Sequence, residues 1–430
     1  MMLRVVTQGT EAKAELGRIS QRLTDTQAQA EQVREILAQV QQRGDQALVD
    51  YTRQFDQQEF TPADFLVSGS QLDAAYQQVS PELLAAIRLA HKRITEFHQQ
   101  RVPQTWVQFA PDGMVLGKRY TAVDRAGVYV PGGRAAYPST VLMNCIPAKV
   151  AGVERVVMVT PPGAEGAVHP AVLVAAQECG VQEIYRIGGA QAIGALAFGT
   201  QTIPRVDVIT GPGNVYVTLA KKQVYGRVGI DALAGPSEVL IIADETAQAP
   251  QVAADLLAQA EHDPLAAAIL LTTDSTLAQA VVQQVAVQLE AHPRKLLTEK
   301  SIAHYGLVVV VESLAQAAEL ANDFAPEHLE LAVAEPWELL PQIRHAGAIF
   351  LGHHTPEALG DYLAGPNHTL PTGGAARYSS ALGVETFLKS TSIVSASLAA
   401  LHQLGEAVVV LAETEGLHSH AESVRLRLKP

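Results

Sequence analysis

The strongest constraint on this chain is a change of hydrophobic period: beyond about Ala122, short β-branched runs alternate with helix-length stretches. A first series covers residues 127–130, 155–159, 183–187 and 206–209, and a second covers 238–242, 268–271, 307–311 and 348–351. Strand-length runs separated by helices demand crossover connections, the pattern of an α/β fold with parallel sheets. Before Gln100 the spacing is helical, as in Leu83, Leu84, Ile87, Ala90, Ile94 and Phe97 after the start signal Ser80-Pro81-Glu82. The expected organisation is a helical extension over residues 1–30 and a discontinuous α/β domain over 31–121 and 236–380. A second α/β domain spans 122–235, and a helical tail spans 381–430. The tail is too short for its own core, so it is expected to pack against another surface such as a partner subunit.

Composition narrows the function classes. The 430 residues are 48% hydrophobic and 17% charged, ordinary for a globular protein with two or more cores. The formal charge of −13, with no basic stripe, disfavours nucleic acid as a partner. Met1-Met2-Leu3-Arg4 turns polar at once, and no later apolar run is long enough for a bilayer, so the expected setting is cytoplasmic, with no membrane. Cys145 and Cys179 lack CxxC spacing and are expected to be buried reduced thiols.

Candidate chemistry lies in polar groups set among apolar or Gly-rich neighbours. Glu327 and His328 form a carboxylate–imidazole pair where an apolar run begins; Gln259 with His262, Asp361 with His368, and Glu415 with His420 repeat the theme far apart in sequence. Together they suggest one metal-assisted site. Gln259 and His262 stand three apart at the end of a helix stopped by Asp263-Pro264, a spacing that lets an amide oxygen and an imidazole converge on zinc or a similar ion. The plainer reading of His262 is a cation near a helix C-terminus. Asp361 and His420 fall in Gly-marked stretches where polar side chains also serve turns. His353-His354, flanked by Gly352 and Pro356, reads as an exposed loop.

Three Gly-containing segments follow expected strands: Pro131-Gly132-Gly133-Arg134, Gly188-Gly189-Ala190-Gln191 and Gly211-Pro212-Gly213-Asn214. Each opens a helix, where free N–H groups favour an anion such as a pyrophosphate. None completes GxGxxG, so ordinary βα turns remain the alternative. Tyr129, Gln191 and Asn214 nevertheless fall at strand ends, the edge where open α/β sheets bind ligands.

Four blocks resemble histidinol dehydrogenases: residues 230–244, Gln259-Ala260-Glu261-His262, Phe324-Ala325-Pro326-Glu327-His328-Leu329-Glu330, and Gly365-Pro366-Asn367-His368-Thr369-Leu370-Pro371-Thr372. The resemblance runs from the early helices to the terminal tail. It implies two incomplete Rossmann-like units, and oxidation of L-histidinol to L-histidine in two NAD-dependent steps through L-histidinaldehyde. It also implies one Zn2+ per subunit, with Gln259, His262, Asp361 and His420 as ligands. Ser237, His328 and Glu415 correspond to substrate contacts, with His368 nearby; the ligands Gln259, His262, Asp361 and His420 also face substrate. Tyr129, Gln191 and Asn214 correspond to NAD contacts. An intertwined homodimer follows, in which His420 and Glu415 reach the neighbouring site.

On that reading His328 takes the hydroxyl proton, since a neutral imidazole titrates near neutral pH. Glu327 activates water for the aldehyde step, and zinc fixes the amine and imidazole nitrogens of the substrate. The rivals are a relative oxidising another polyol with NAD, a non-catalytic metal- or nucleotide-binding module, and a zinc hydrolase.

Overall fold

The second series of apolar runs forms one six-stranded parallel sheet in the computed structural model, which describes residues 3–7, 9–22, 26–100, 102–132 and 136–429. Its order is Arg4–Val6, Gly306–Val310, Ala267–Thr272, Glu238–Ala243, His328–Ala332 and Ala348–Leu351. The strands Glu238–Ala243 and Ala267–Thr272 are buried along their whole length, as expected where helices cover both faces. Leu240, Ile242, Ile269 and Leu271 meet Ala317, Leu320 and Ala321 on one face. On the other, Val239, Ile241, Ala268 and Leu270 meet Val252, Leu256 and Val281. Each buried Val, Leu or Ile here contributes about 1.5–3 kcal/mol before entropy is counted.

The first series forms a five-stranded sheet in the order Glu183–Arg186, Arg155–Thr160, Arg125–Tyr129, Val208–Thr210 and Gly229–Ile230, again all parallel. The α/β class read from the sequence is therefore the observed one. Helix Gln27–Arg43 packs here through Val33, Leu37 and Val40, and Pro81–Gln99 packs on Pro138–Val150. The sequence reading had grouped residues 31–121 with the other sheet. Periodicity marks a helix's buried face but not which sheet it meets.

Two further corrections concern the ends. Residues 4–6, assigned to a helical extension, are the edge strand of the six-stranded sheet; three residues are too few to display a period. Helix Gly9–Ser20 follows, with Ala12, Leu16 and Ile19 in the core of that sheet. The tail is not wholly helical either: Leu388–Ala396 is a strand.

The chain divides into two compact units, the first (residues 1–101 and 124–387) holding both parallel sheets. The second (residues 102–123 and 388–430) is an antiparallel sheet, Trp106–Phe109, Met114–Ala122 and Leu388–Ala396, with two mutually packed helices, Leu398–Thr414 and His418–Leu428. Its strands are exposed or half-exposed at nearly every position, so they lack the alternation that marks a strand. Cys145 and Cys179 are free and buried. No helix among the described residues is long and apolar enough to cross a membrane.

Candidate active site

Glu327 and His328 owe their placement to an unusual turn. Helix Leu314–Phe324 ends at Ala325, a non-glycine residue with φ of 54° whose N–H donates to Ala321 O at 2.7 Å. Left-handed backbone at alanine is uncommon and persists where surrounding contacts enforce it, often beside functional groups. Pro326 then leads into the strand His328–Ala332.

Both side chains are buried. Glu327 Oε2 accepts the Glu238 N–H at 2.9 Å. His328 Nδ1 lies 3.1 Å from Glu238 O, a carbonyl that can only accept, so the ring proton belongs on Nδ1. In the neutral ring that leaves Nε2 as an acceptor; it is buried without a hydrogen-bond partner, 3.6 Å from Asp361 Oδ1. Phe350 flanks the ring, with centroids 6.0 Å apart.

Asp361 lies on the short helix Glu357–Tyr362 rather than in the turn expected from its neighbouring glycine. Gly360 serves close packing there: a Cβ at that position would stand 2.5 Å from Phe350 Cε1. This approach brings Glu357 and Asp361, four apart on one helix face, toward the sheet. Glu357 is buried, its backbone N–H donates to Glu330 Oε1 at 2.7 Å, and its Oε1 lies 3.8 Å from His328 Nδ1.

Helix Ala249–Ala260 ends earlier than the Asp263-Pro264 stop suggested. The last turn tightens instead, with the His262 N–H donating to Gln259 O at 3.2 Å, so the two residues still lie close. Gln259 is fully buried. With its amide nitrogen facing the acceptors, it donates to Glu357 Oε1 and Oε2 at 2.9 and 3.1 Å. Side-chain donor atoms of His262, Glu357 and Asp361 all lie within 4.8 Å of one another.

Electrostatics follow from this crowding. Burial pushes Glu327 up to about 7 and Glu357 up to about 8. Burial also works against the charged His328 ring, but the carboxylates of Glu357, Glu327 and Asp361 outweigh it and hold its pKa well above the usual imidazole value. Burial opposes the Asp361 anion, and its contact with His328 more than compensates, lowering its pKa. His262, though open to solvent, is crowded enough that desolvation lowers its pKa, favouring the neutral, ligating form. Imidazole and carboxylate donors at this separation suit zinc or a similar divalent ion, and several acids in one buried site favour a cation.

The other residues singled out by sequence fall as follows. His368 is half-buried, its Nδ1 3.0 Å from Asp361 O. Ser237, half-buried, directly precedes the strand Glu238–Ala243. Glu415 and His420 belong to the second unit and are exposed, Glu415 capping helix Leu398–Thr414 and His420 standing in the first turn of His418–Leu428, not in a loop. Glu357 was missed because His353-His354 and Pro356 read as loop; its spacing to Asp361 was the available signal.

Tyr129, Gln191 and Asn214 line a single cavity of about 750 Å³ at the strand ends of the five-stranded sheet, with Gly132 and Gly189. Gly133-Arg134 lie outside the described residues. Tyr129 Oη accepts the Gly189 N–H at 3.2 Å, and burial pushes its pKa up to about 12. Asn214 Oδ1 caps helix Val215–Val224, accepting the N–H groups of Tyr216 and Val217 at 3.0 and 3.2 Å. Gly211, with φ of 110°, is required before it: a Cβ there would stand 2.0 Å from Tyr129 O.

A histidinol dehydrogenase family model matches residues 19–428. The chain belongs to the histidinol dehydrogenase family. A histidinol dehydrogenase of Thermosynechococcus vestitus is 70% identical over 432 aligned positions, covering 100% of each chain. Histidinol dehydrogenase 2 of Trichormus variabilis is 66% identical, covering 100% of this chain and 99% of its own. The crystal structure of histidinol dehydrogenase from Elizabethkingia anophelis superposes with a TM-score of 0.94 at 37% identity, covering 100% of this chain and 98% of that one. Membership in the histidinol dehydrogenase family thus spans nearly the whole chain and both parallel sheets.

Proposed function

We propose that this protein oxidises L-histidinol to L-histidine in two successive NAD-dependent steps through L-histidinaldehyde, in histidine biosynthesis in the cytoplasm. The observation that carries the reading is the buried Glu327–His328 pair beside the His262, Glu357 and Asp361 donors. His328 Nε2, unpartnered, is an acceptor in the neutral ring, a form that a cation held by Asp361 and Glu357 would favour by offsetting the carboxylates that raise its pKa; it takes the hydroxyl proton as hydride leaves the carbinol carbon for NAD+. Water then adds to the aldehyde. Glu327, with Oε2 fixed by the Glu238 N–H, accepts a proton from that water, and the resulting hydrate anion gives its hydride to a second NAD+ and becomes the carboxylic acid.

Gln259, His262 and Asp361 would hold the zinc, with His420 from a second subunit and Glu357 alongside. Zinc held there would supply positive charge to orient the amine and imidazole nitrogens of histidinol. Glu357 orients the site by accepting both Gln259 contacts, and Ser237, His368 and Glu415 complete the substrate surround. NAD takes the cavity lined by Tyr129, Gln191 and Asn214.

A homodimer with shared sites is supported by the second unit, which leaves Trp106, Phe109, Val394, Val410 and Leu411 exposed. The test is NADH formation on adding L-histidinol, compared with other amino alcohols and polyols. Reduction of NAD+ by histidinol at far higher kcat/KM supports the reading; no reduction by histidinol overturns it.

A further inference from the structure

One acid in the cavity has no role in the reading above. Asp56 lines it, and its carboxylate accepts no hydrogen bond among the described residues; Oδ2 is buried without any partner. Burial pushes its pKa up to about 6, and no basic side chain among the described residues offsets the cost. An unsatisfied, partly desolvated carboxylate is expensive, so its retention beside a ligand cavity calls for a donor from the ligand.

The backbone around it is equally specific. Asp56 closes the π-helical turn Thr52–Asp56, and Gln57 follows with φ of 56°, left-handed in a non-glycine residue. π-turns and such φ values both cost free energy, and both concentrate at ligand sites. The turn also presents Phe55, stacked on Tyr51 with centroids 5.6 Å apart and planes at 2°. These rings line the cavity with Ile36, Pro161 and Pro162, a flat apolar wall suited to a purine. A second carboxylate, Glu35, also lines it, and no lysine or arginine does among the described residues.

Taking the cavity as the cofactor site, we infer that Asp56 accepts the hydroxyls of the adenosine ribose and, with Glu35, excludes a 2′-phosphate, making it the residue that selects NAD over NADP. An ionised carboxylate accepts a ribose hydroxyl, and the same charge repels a phosphomonoester. A purine against Phe55, on the same turn, and Tyr51, just before it, would set the adjoining ribose rather than the nicotinamide half beside Asp56.

Calorimetric titration of the zinc-loaded protein with NAD+, its adenosine 2′-deoxy analogue and NADP+ tests this directly. Parent protein should bind the deoxy analogue about tenfold or more weaker than NAD+, the range for a hydrogen bond to a charged group. Asp56→Asn should weaken NAD+ binding by a similar factor, tighten NADP+ binding, and erase most of the distinction between NAD+ and the deoxy analogue. In steady state the change should appear in KM for NAD+ with little effect on kcat. Equal affinity of the parent for NAD+ and the deoxy analogue would overturn the inference without any variant. So would an Asp56→Asn protein, of parental melting temperature, that keeps the parental NAD+ to NADP+ ratio. Gln191→Ala and Asn214→Ala separate the two levels of the claim. If they weaken NAD+ binding and Asp56→Asn does not, only the Asp56 role falls; if none of the three does, the cavity is not the cofactor site.

Discussion

Lys221→Met tests how the fold holds the Gly211–Asn214 turn at the cavity. Lys221 is 2% exposed; its Nζ donates to Gly211 O at 3.0 Å and forms an ion pair with Asp231, itself 3% exposed. Asp231 in turn accepts the Gly211 N–H at 2.8 Å and the Ala232 N–H at 2.7 Å. Methionine preserves the apolar stem but removes the cation and the donor, leaving a buried carboxylate. Breaking such a pair by removing one partner costs about 3–5 kcal/mol, and the two remaining N–H donors favour the lower figure. For a chain of 430 residues the unfolding entropy is of order 0.9 kcal/mol/K, so the melting midpoint should fall by roughly 3 °C. Scanning fluorimetry reads this, and KM for NAD+ should rise as Asn214 loses its fixed position. Lys221→Met/Asp231→Asn removes the stranded charge while keeping an amide oxygen for the N–H groups, and should recover most of the loss. A single variant within 1 °C of parent (about 1 kcal/mol by the same conversion), or a double variant no more stable than the single, would refute the clamp.

Glu327→Gln should chiefly impair oxidation of supplied histidinaldehyde, and normal turnover of aldehyde would end its water-activating role. Because Glu327 titrates at about 7 and must be ionised to act, the aldehyde half-reaction should fall up to about tenfold per pH unit below 7, and Glu327→Gln should lose that limb. Glu357→Gln should weaken zinc retention in equilibrium dialysis by about 10–100-fold, the range for residues that orient metal ligands; unchanged retention would remove Glu357 from the metal site. His420→Ala mixed with His328→Ala should regain activity as one complete site forms in each heterodimer, and verified heterodimers without recovery would contradict shared sites.

How much of this was legible in the sequence depended on burial. Strands such as Glu238–Ala243 and Ala267–Thr272 are apolar because both faces are covered, and they could be read directly. The antiparallel strands at 106–109, 114–122 and 388–396 could not, because exposure on both faces removes the pattern. Residues 27–99 read as helices, yet their partner sheet is a tertiary fact that no local period encodes. At the site, Glu327, His328, Gln259, His262 and Asp361 were recognisable as polar groups in apolar settings. Glu357 and Asp56 were not: their meaning comes from buried surroundings assembled by distant segments, Gln259 against Glu357 and the cavity wall around Asp56.

The most direct test of the account is the number of NADH molecules formed per L-histidinol consumed, measured on the zinc-loaded protein, after chelation and after zinc is restored. A ratio approaching two is expected, lost with the metal and regained with it. A ratio of one with aldehyde accumulating, or full turnover in verified metal-free protein, would contradict a single metal-organised site that carries both oxidations.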